Sequence, residues 1–146
     1  MTTCFNHRFC PCILIAALML LSACSSSAVF IAPPASSWEA ASMVVELDGN
    51  QRTFSGAKVR KAFFQETPVH PMLGRAFLDD DHASASRAVV VSEKFWRDVL
   101  GDNPDWVGKE IVVDNERRTI VGIMPRVFDA PPGAALWIPI DESEKR

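Results

Sequence analysis

Residues 88–101 read Ala88-Val89-Val90-Val91-Ser92-Glu93-Lys94-Phe95-Trp96-Arg97-Asp98-Val99-Leu100-Gly101. The first four are apolar without interruption, the pattern of a short strand covered on both faces rather than of one with a wet side. Ser92 then offers a hydroxyl that can accept from a free amide of a helix's first turn. Glu93 sets a negative charge at the positive end of that helix. Phe95, Trp96, Val99 and Leu100 recur at helical spacing in one stripe, and Gly101 can take the left-handed conformation that closes a helix. The stretch predicts a buried strand running into a short amphipathic helix, whose stripe reads as core rather than as a ligand-binding face.

Downstream, residues 103–108 form a connector. Residues 109–114 and 117–124 then read as a hairpin around Asp114-Asn115-Glu116. Their alternation predicts Ile111 and Val113 on one face and Glu110 and Val112 on the other, then Ile120 and Gly122 opposed to Val121 and Ile123. Pro125 ends the run, since proline cannot donate to a ladder. A Pro131-Pro132-Gly133 turn, an apolar run at residues 136–140 and a charged tail at 141–146, expected to fray, complete the chain.

Upstream, Asp79-Asp80-Asp81-His82 reads as a polar loop, and Pro68, Pro71 and Gly74 break up the segment before it. Residues 57–66 predict a short helix with Val59, Ala62 and Phe63 inward. Residues 42–55 predict a first hairpin turning at Asp48-Gly49-Asn50. Strands and helices are interspersed, so the fold class is α+β: a small mixed domain of β-hairpins and two or three short helices over residues 42–140.

The amino-terminal residues are of another kind. An apolar run from Cys12 to Leu21 ends in Leu21-Ser22-Ala23-Cys24. This quartet resembles the lipobox of bacterial lipoproteins: Leu, two small residues, then the cysteine that receives the lipid. Small residues beside the cut bond suit a narrow peptidase pocket. Cleavage is expected between Ala23 and Cys24, with residues 1–23 as signal peptide and Cys24 as lipidation site. The ten-residue run is short for a membrane span, which needs about 20 apolar residues. Arg8 is the only Lys or Arg before the cut, a weakly basic start for a signal peptide. Residues 24–41 read as a Ser-, Ala- and Pro-rich tether, with an apolar patch at Val29-Phe30-Ile31. In enterobacterial sorting an Asp after the cysteine retains a lipoprotein at the inner membrane, so Ser25 points to the outer one.

The 146 residues hold 15 Lys and Arg against 18 Asp and Glu, a net charge of -3. That balance offers no electrostatic reason to bind nucleic acid. All four cysteines, Cys4, Cys10, Cys12 and Cys24, lie at or before the proposed lipid site, so the body of the domain has none with which to form a disulfide.

From about residue 55 to 140 a second resemblance appears. Pro71-Met72-Leu73-Gly74-Arg75-Ala76-Phe77 is similar to the pattern P-x-x-G-R-x-F, and an acidic pair within residues 79–81 comes next. Val89-Val90-Val91-Ser92 leads to Phe95-Trp96. Gly108-Lys109-Glu110-Ile111, Thr119-Ile120-Val121-Gly122-Ile123-Met124-Pro125 and Leu136-Trp137-Ile138-Pro139 follow in order. Together they resemble the periplasmic core domain of MacB-like and FtsX-like ABC transporter permeases. The resemblance implies a domain that pairs with other extracytoplasmic proteins. It implies neither transport nor ATP hydrolysis by this chain, which shows no second hydrophobic span and no phosphate-binding glycine loop, and it carries over no catalytic residue. In the family the chain runs on past W-x-P to complete a second subdomain, whereas this one stops at Arg146. Gly74 and Gly108 are expected at turns, Arg75 is expected to hold neighbouring acidic groups or carbonyls by its planar fork, with Asp79 to Asp81 as candidates, and Trp96, Trp106 and Trp137 are expected as core anchors.

Asp79-Asp80-Asp81-His82 is the best metal candidate, but it lacks the alternating ligands, glycine and closing Glu of a calcium loop and reads as a solvated loop. His70 and His82, without cysteine partners, make a poor zinc set. Ser92 lacks a glycine-flanked nucleophile elbow and reads as a cap. The expectation is a lipid-anchored, non-catalytic interaction module without metal or cofactor. Its expected partners are the membrane, through the anchor, and envelope transporter or adaptor proteins, possessing no role for nucleic acid. The alternatives are a split permease fragment with an uncleaved amino-terminal membrane helix and, more remotely, a small hydrolase or metal-binding lipoprotein.

Overall fold

The structure, a computed structural model, describes residues 33–83 and 86–142. Residues 1–32, with the lipobox, Cys24 and half of the tether, lie outside them, as do 84–85 and 143–146. Among the described residues seven strands form one mixed sheet. They are β1 (Trp38–Leu47), β2 (Asn50–Val59), β3 (Leu73–Gly74), β4 (Ala88–Ser92), β5 (Glu110–Val113), β6 (Glu116–Met124) and β7 (Leu136–Pro139), accompanied by two helices, α1 (Ala62–Gln65) and α2 (Glu93–Leu100). In the order β6, β4, β7, β2, β1, β5 each strand pairs with the next, and β5 pairs back to β6. Six strands thus close a ring, and β3 attaches outside it to the far half of β6.

Strand parity divides the core. Val89 and Val91 of β4, with Leu136 and Ile138 of β7, join Met43, Val45, Ile111 and Val113 in one cluster, where Phe95, Trp96 and Leu100 of α2 pack. Val90 and Trp137 turn the other way, to Ala57, Val59, Phe63, Met124 and Phe128. Val89, Val90, Val91 and Trp137 are fully buried, as the uninterrupted apolar run predicts for a strand between two layers. The Trp137 indole donates to the Ala130 carbonyl at 2.9 Å, and the Trp96 indole to that of Asn103 at 2.8 Å.

Both predicted hairpins form. The first turns at Asp48 and Gly49, the second at Asp114 and Asn115, all four with positive φ. Several boundaries move. β1 begins at Trp38, inside the stretch read as tether, because Trp38 pairs with Val59 across the hairpin. The helix expected at 57–66 shrinks to α1. Residues 57–59 instead continue β2 and pair with Trp137, Ile138 and Pro139 of β7. The alternation expected in β6 breaks, because pairing with β4 passes from Ile120 to Gly122 and leaves Val121 as a bulge. Ile120 and Ile123 therefore share one cluster, and Val121 and Met124 the other. The tail is held where it starts: the Glu142 amide donates to the His82 carbonyl, and its carboxylate accepts from the Lys61 amide. No helix among the described residues is long and apolar enough to cross a membrane.

Candidate functional site

The edge of β2 defines the site. One edge pairs with β1 along its whole length, whereas β7 covers the other only over Gly56 to Val59. The Ser55 and Val59 carbonyls accept from Ala135 and Ile140, both at 2.7 Å, so these residues aim their backbone groups toward the β7 side. Alternate residues of a strand share an edge. The N–H and C=O groups of Gln51 and Thr53 therefore point the same way, beyond the end of β7, and no strand among the described residues covers them.

Facing that edge is α2, which Ser92 starts by accepting from the Phe95 amide at 3.1 Å and Gly101 ends at φ 73°. Phe54 of β2 meets Phe95 edge-to-face at 5.0 Å. Between them runs a groove of about 730 Å³, lined by Thr53, Phe54 and Ser55, by Ser92, Lys94, Phe95, Asp98 and Val99, and by Arg126, Phe128, Asp129 and residues 133–135. A second depression of about 260 Å³ shares Phe54, Asp98 and Val99 and adds Val45, Leu47, Asn50 and Arg52. The two make one furrow along the uncovered edge.

Its charges are unevenly satisfied. Lys94 pairs with Asp98 one helical turn on, and Asp129 accepts from the Gly133 amide at 2.7 Å. Glu93 accepts from the Arg126 amide at 2.8 Å and pairs with Arg97, which fixes the lip of the furrow to α2. The guanidinium groups of Arg52 and Arg126 have no ion pair among the described residues.

Of the residues singled out by sequence, Ser92, Phe95 and Val99 line the furrow, and the others go elsewhere. Leu21, Ser22, Ala23 and Cys24 are outside the described residues. Asp79–His82 is a single 3-10 turn, not an irregular loop. Its Asp81 takes the Arg75 guanidinium at 2.5 and 3.4 Å and the Leu78 amide at 2.8 Å. Burial works to raise the Asp81 carboxyl, but the Arg75 and Leu78 hydrogen bonds and the Arg75 charge outweigh it and hold it below its ordinary value. His82 is 4% exposed, its Nδ1 lies 3.2 Å from the Ile140 carbonyl, and its ring meets Phe77. His70 is exposed. Among the described residues no three acidic, His or Cys side chains converge on a cation. Trp96 and Trp137 are core anchors, whereas Trp106 is only half-buried, with Lys109 over its ring at 5.4 Å. The furrow itself had no signal in the sequence, because an uncovered edge depends on where distant strands stop.

Residues 18–146 match the family described as the MacB-like periplasmic core domain. The chain belongs to that family. Two solved structures share the fold of this MacB-like domain. The extracellular domain of the noncanonic ABC-type transporter YknZ from Gram-positive bacteria aligns with a TM-score of 0.59 at 17% identity, over 72% of this chain and 53% of that one. The periplasmic region of MacB from Actinobacillus actinomycetemcomitans aligns at 0.59 and 15% identity, over 72% and 47%. The MacB-like chain thus spans about half the length of these structures. No curated protein matches it. The motif residues that suggested the family hold this fold together: Arg75 ties Asp81, Gly74 abuts Gly122, Ser92 caps α2, Gly108 turns at φ 93°, and Trp137 fills the cluster it shares with Val90 and Phe63.

Proposed function

We propose that the protein is a lipid-anchored, extracytoplasmic interaction module that serves an envelope export assembly through binding rather than catalysis. Membership in the MacB-like periplasmic core domain family is the observation that carries this reading. The relatives of known structure are extracellular or periplasmic parts of transporters. The lipobox-like Leu21-Ser22-Ala23-Cys24 supplies the anchor, and several acyl chains on Cys24 would hold the domain durably, where one chain binds only reversibly. The furrow beside β2 is the surface such a module offers to a partner, and Ser25 favours the outer membrane.

Labelling cells with radioactive palmitate tests the anchor. The wild type is expected to take up label and to fractionate with membranes, and Cys24→Ala is expected to lose both. Label persisting in Cys24→Ala, or none on the wild type, would remove the anchor. The family match begins at residue 18, inside the apolar run, so the competing reading is a membrane segment that is never cut. Mass spectrometry separates the two, since an intact residue 1 on the membrane-bound product would support that reading instead.

A further inference from the structure

We infer that the furrow between β2 and α2 takes up an extended, acidic segment of a partner protein as an added strand on the uncovered edge of β2. The inference rests on the interaction-module reading and gives the partner a chemistry. Gln51 and Thr53 turn their backbone N–H and C=O groups into the furrow, in line with the place where β7 pairs with the same edge. A guest strand about 4.8 Å away would satisfy both residues and continue the ladder that β7 begins. Alternate side chains of such a guest would fall on one side, where Phe54 and Val99 offer a half-buried apolar floor.

Charge selects the guest. The whole chain is acidic, at -3, yet the furrow is lined by three cations, Arg52, Lys94 and Arg126, against two carboxylates, Asp98 and Asp129; Arg52 and Arg126 have no ion pair among the described residues, whereas Asp129 is engaged by the Gly133 amide. Lys94 and Asp98 neutralise each other between them. Carboxylates flanking an apolar residue complement this pattern, and basic ones oppose it. A second copy paired edge to edge would bring two sets of Arg52 and Arg126 into one interface, which like charges disfavour.

The test uses the full chain in detergent micelles and two amidated eight-residue peptides, one alternating Val with Glu and one alternating Val with Lys. Binding is followed by fluorescence anisotropy, and the contact is located by amide hydrogen exchange. The Glu peptide is expected to bind about tenfold tighter than the Lys peptide and to slow exchange at Gln51 and Thr53. The double variant Arg52→Glu/Arg126→Glu is expected to reverse the preference. Thr53→Pro removes an edge amide that pairs with no backbone group among the described residues and is expected to abolish binding of both peptides. Equal binding of the two peptides, or protection elsewhere, would overturn the inference. So would concentration-dependent self-association that itself protects Gln51 and Thr53, because the occupant would then be a second copy. Loss of palmitate labelling would leave these results untouched, so the anchor and the edge site can fail separately.

Discussion

Gly74 and Gly122 face each other where β3 crosses β6. A Cβ on Gly122 would lie 2.1 Å from the Arg75 carbonyl oxygen, and one on Gly74 would lie 2.2 Å from that of Val121. Backbone cannot yield there as a flexible side chain could, and Gly74 also sits at φ 72°. Gly122→Ala is expected to cost about 2–4 kcal/mol in urea unfolding, by prising β3 from β6. Asp81 makes a prediction with a sign. Its carboxyl titrates lower in the fold than in the unfolded chain, so the charged form stabilises the fold. That contribution is present above the unfolded value of about 3.9 and fades as pH falls through the lower folded value. Asp81→Asn is expected to have a lower urea midpoint than the wild type at pH 7, with the gap closing below pH ~4. A gap that stayed constant with pH would assign the loss to packing instead. Neither contact was fully legible: the planar fork of Arg75 suggested acids or carbonyls nearby, and it takes both Asp81 and the Ala76 carbonyl, but which acid depends on the 3-10 turn.

The strand–helix unit of β4 and α2 formed as its residues implied, since every signal in it acts within four residues. Ser92→Ala is expected to cost about 1 kcal/mol, seen as a lower melting temperature with the helix retained. The 57–66 segment shows the limit of such reading. Val59, Ala62 and Phe63 have helical spacing and are indeed buried or partly so, but Ala57 and Val59 also alternate. Period two won because β7, some 80 residues on, pairs with them. The bulge at Val121 is of the same kind: alternation was read correctly as far as Ile120, and only β4 decided that Val121 would be skipped.

At the scale of the molecule, closure of the ring by β5 leaves β4 and β7 between two buried layers and β2 half uncovered. Amides of residues 89–91 and 136–138 are therefore expected to exchange slowest, and those of Gln51 and Thr53 orders of magnitude faster, although all lie in strands. Comparable protection at Gln51 in the isolated protein would mean that its edge is already covered. Turns, caps, the buried strand, both hairpins and family membership were within reach of the sequence alone, because each depends on residues a few positions apart or on motifs in a set order. Ring closure, the division of the core by parity, the bulge and the furrow were decided only in three dimensions, because edge pairing depends on which distant strands arrive and where they stop, and no local stretch encodes that.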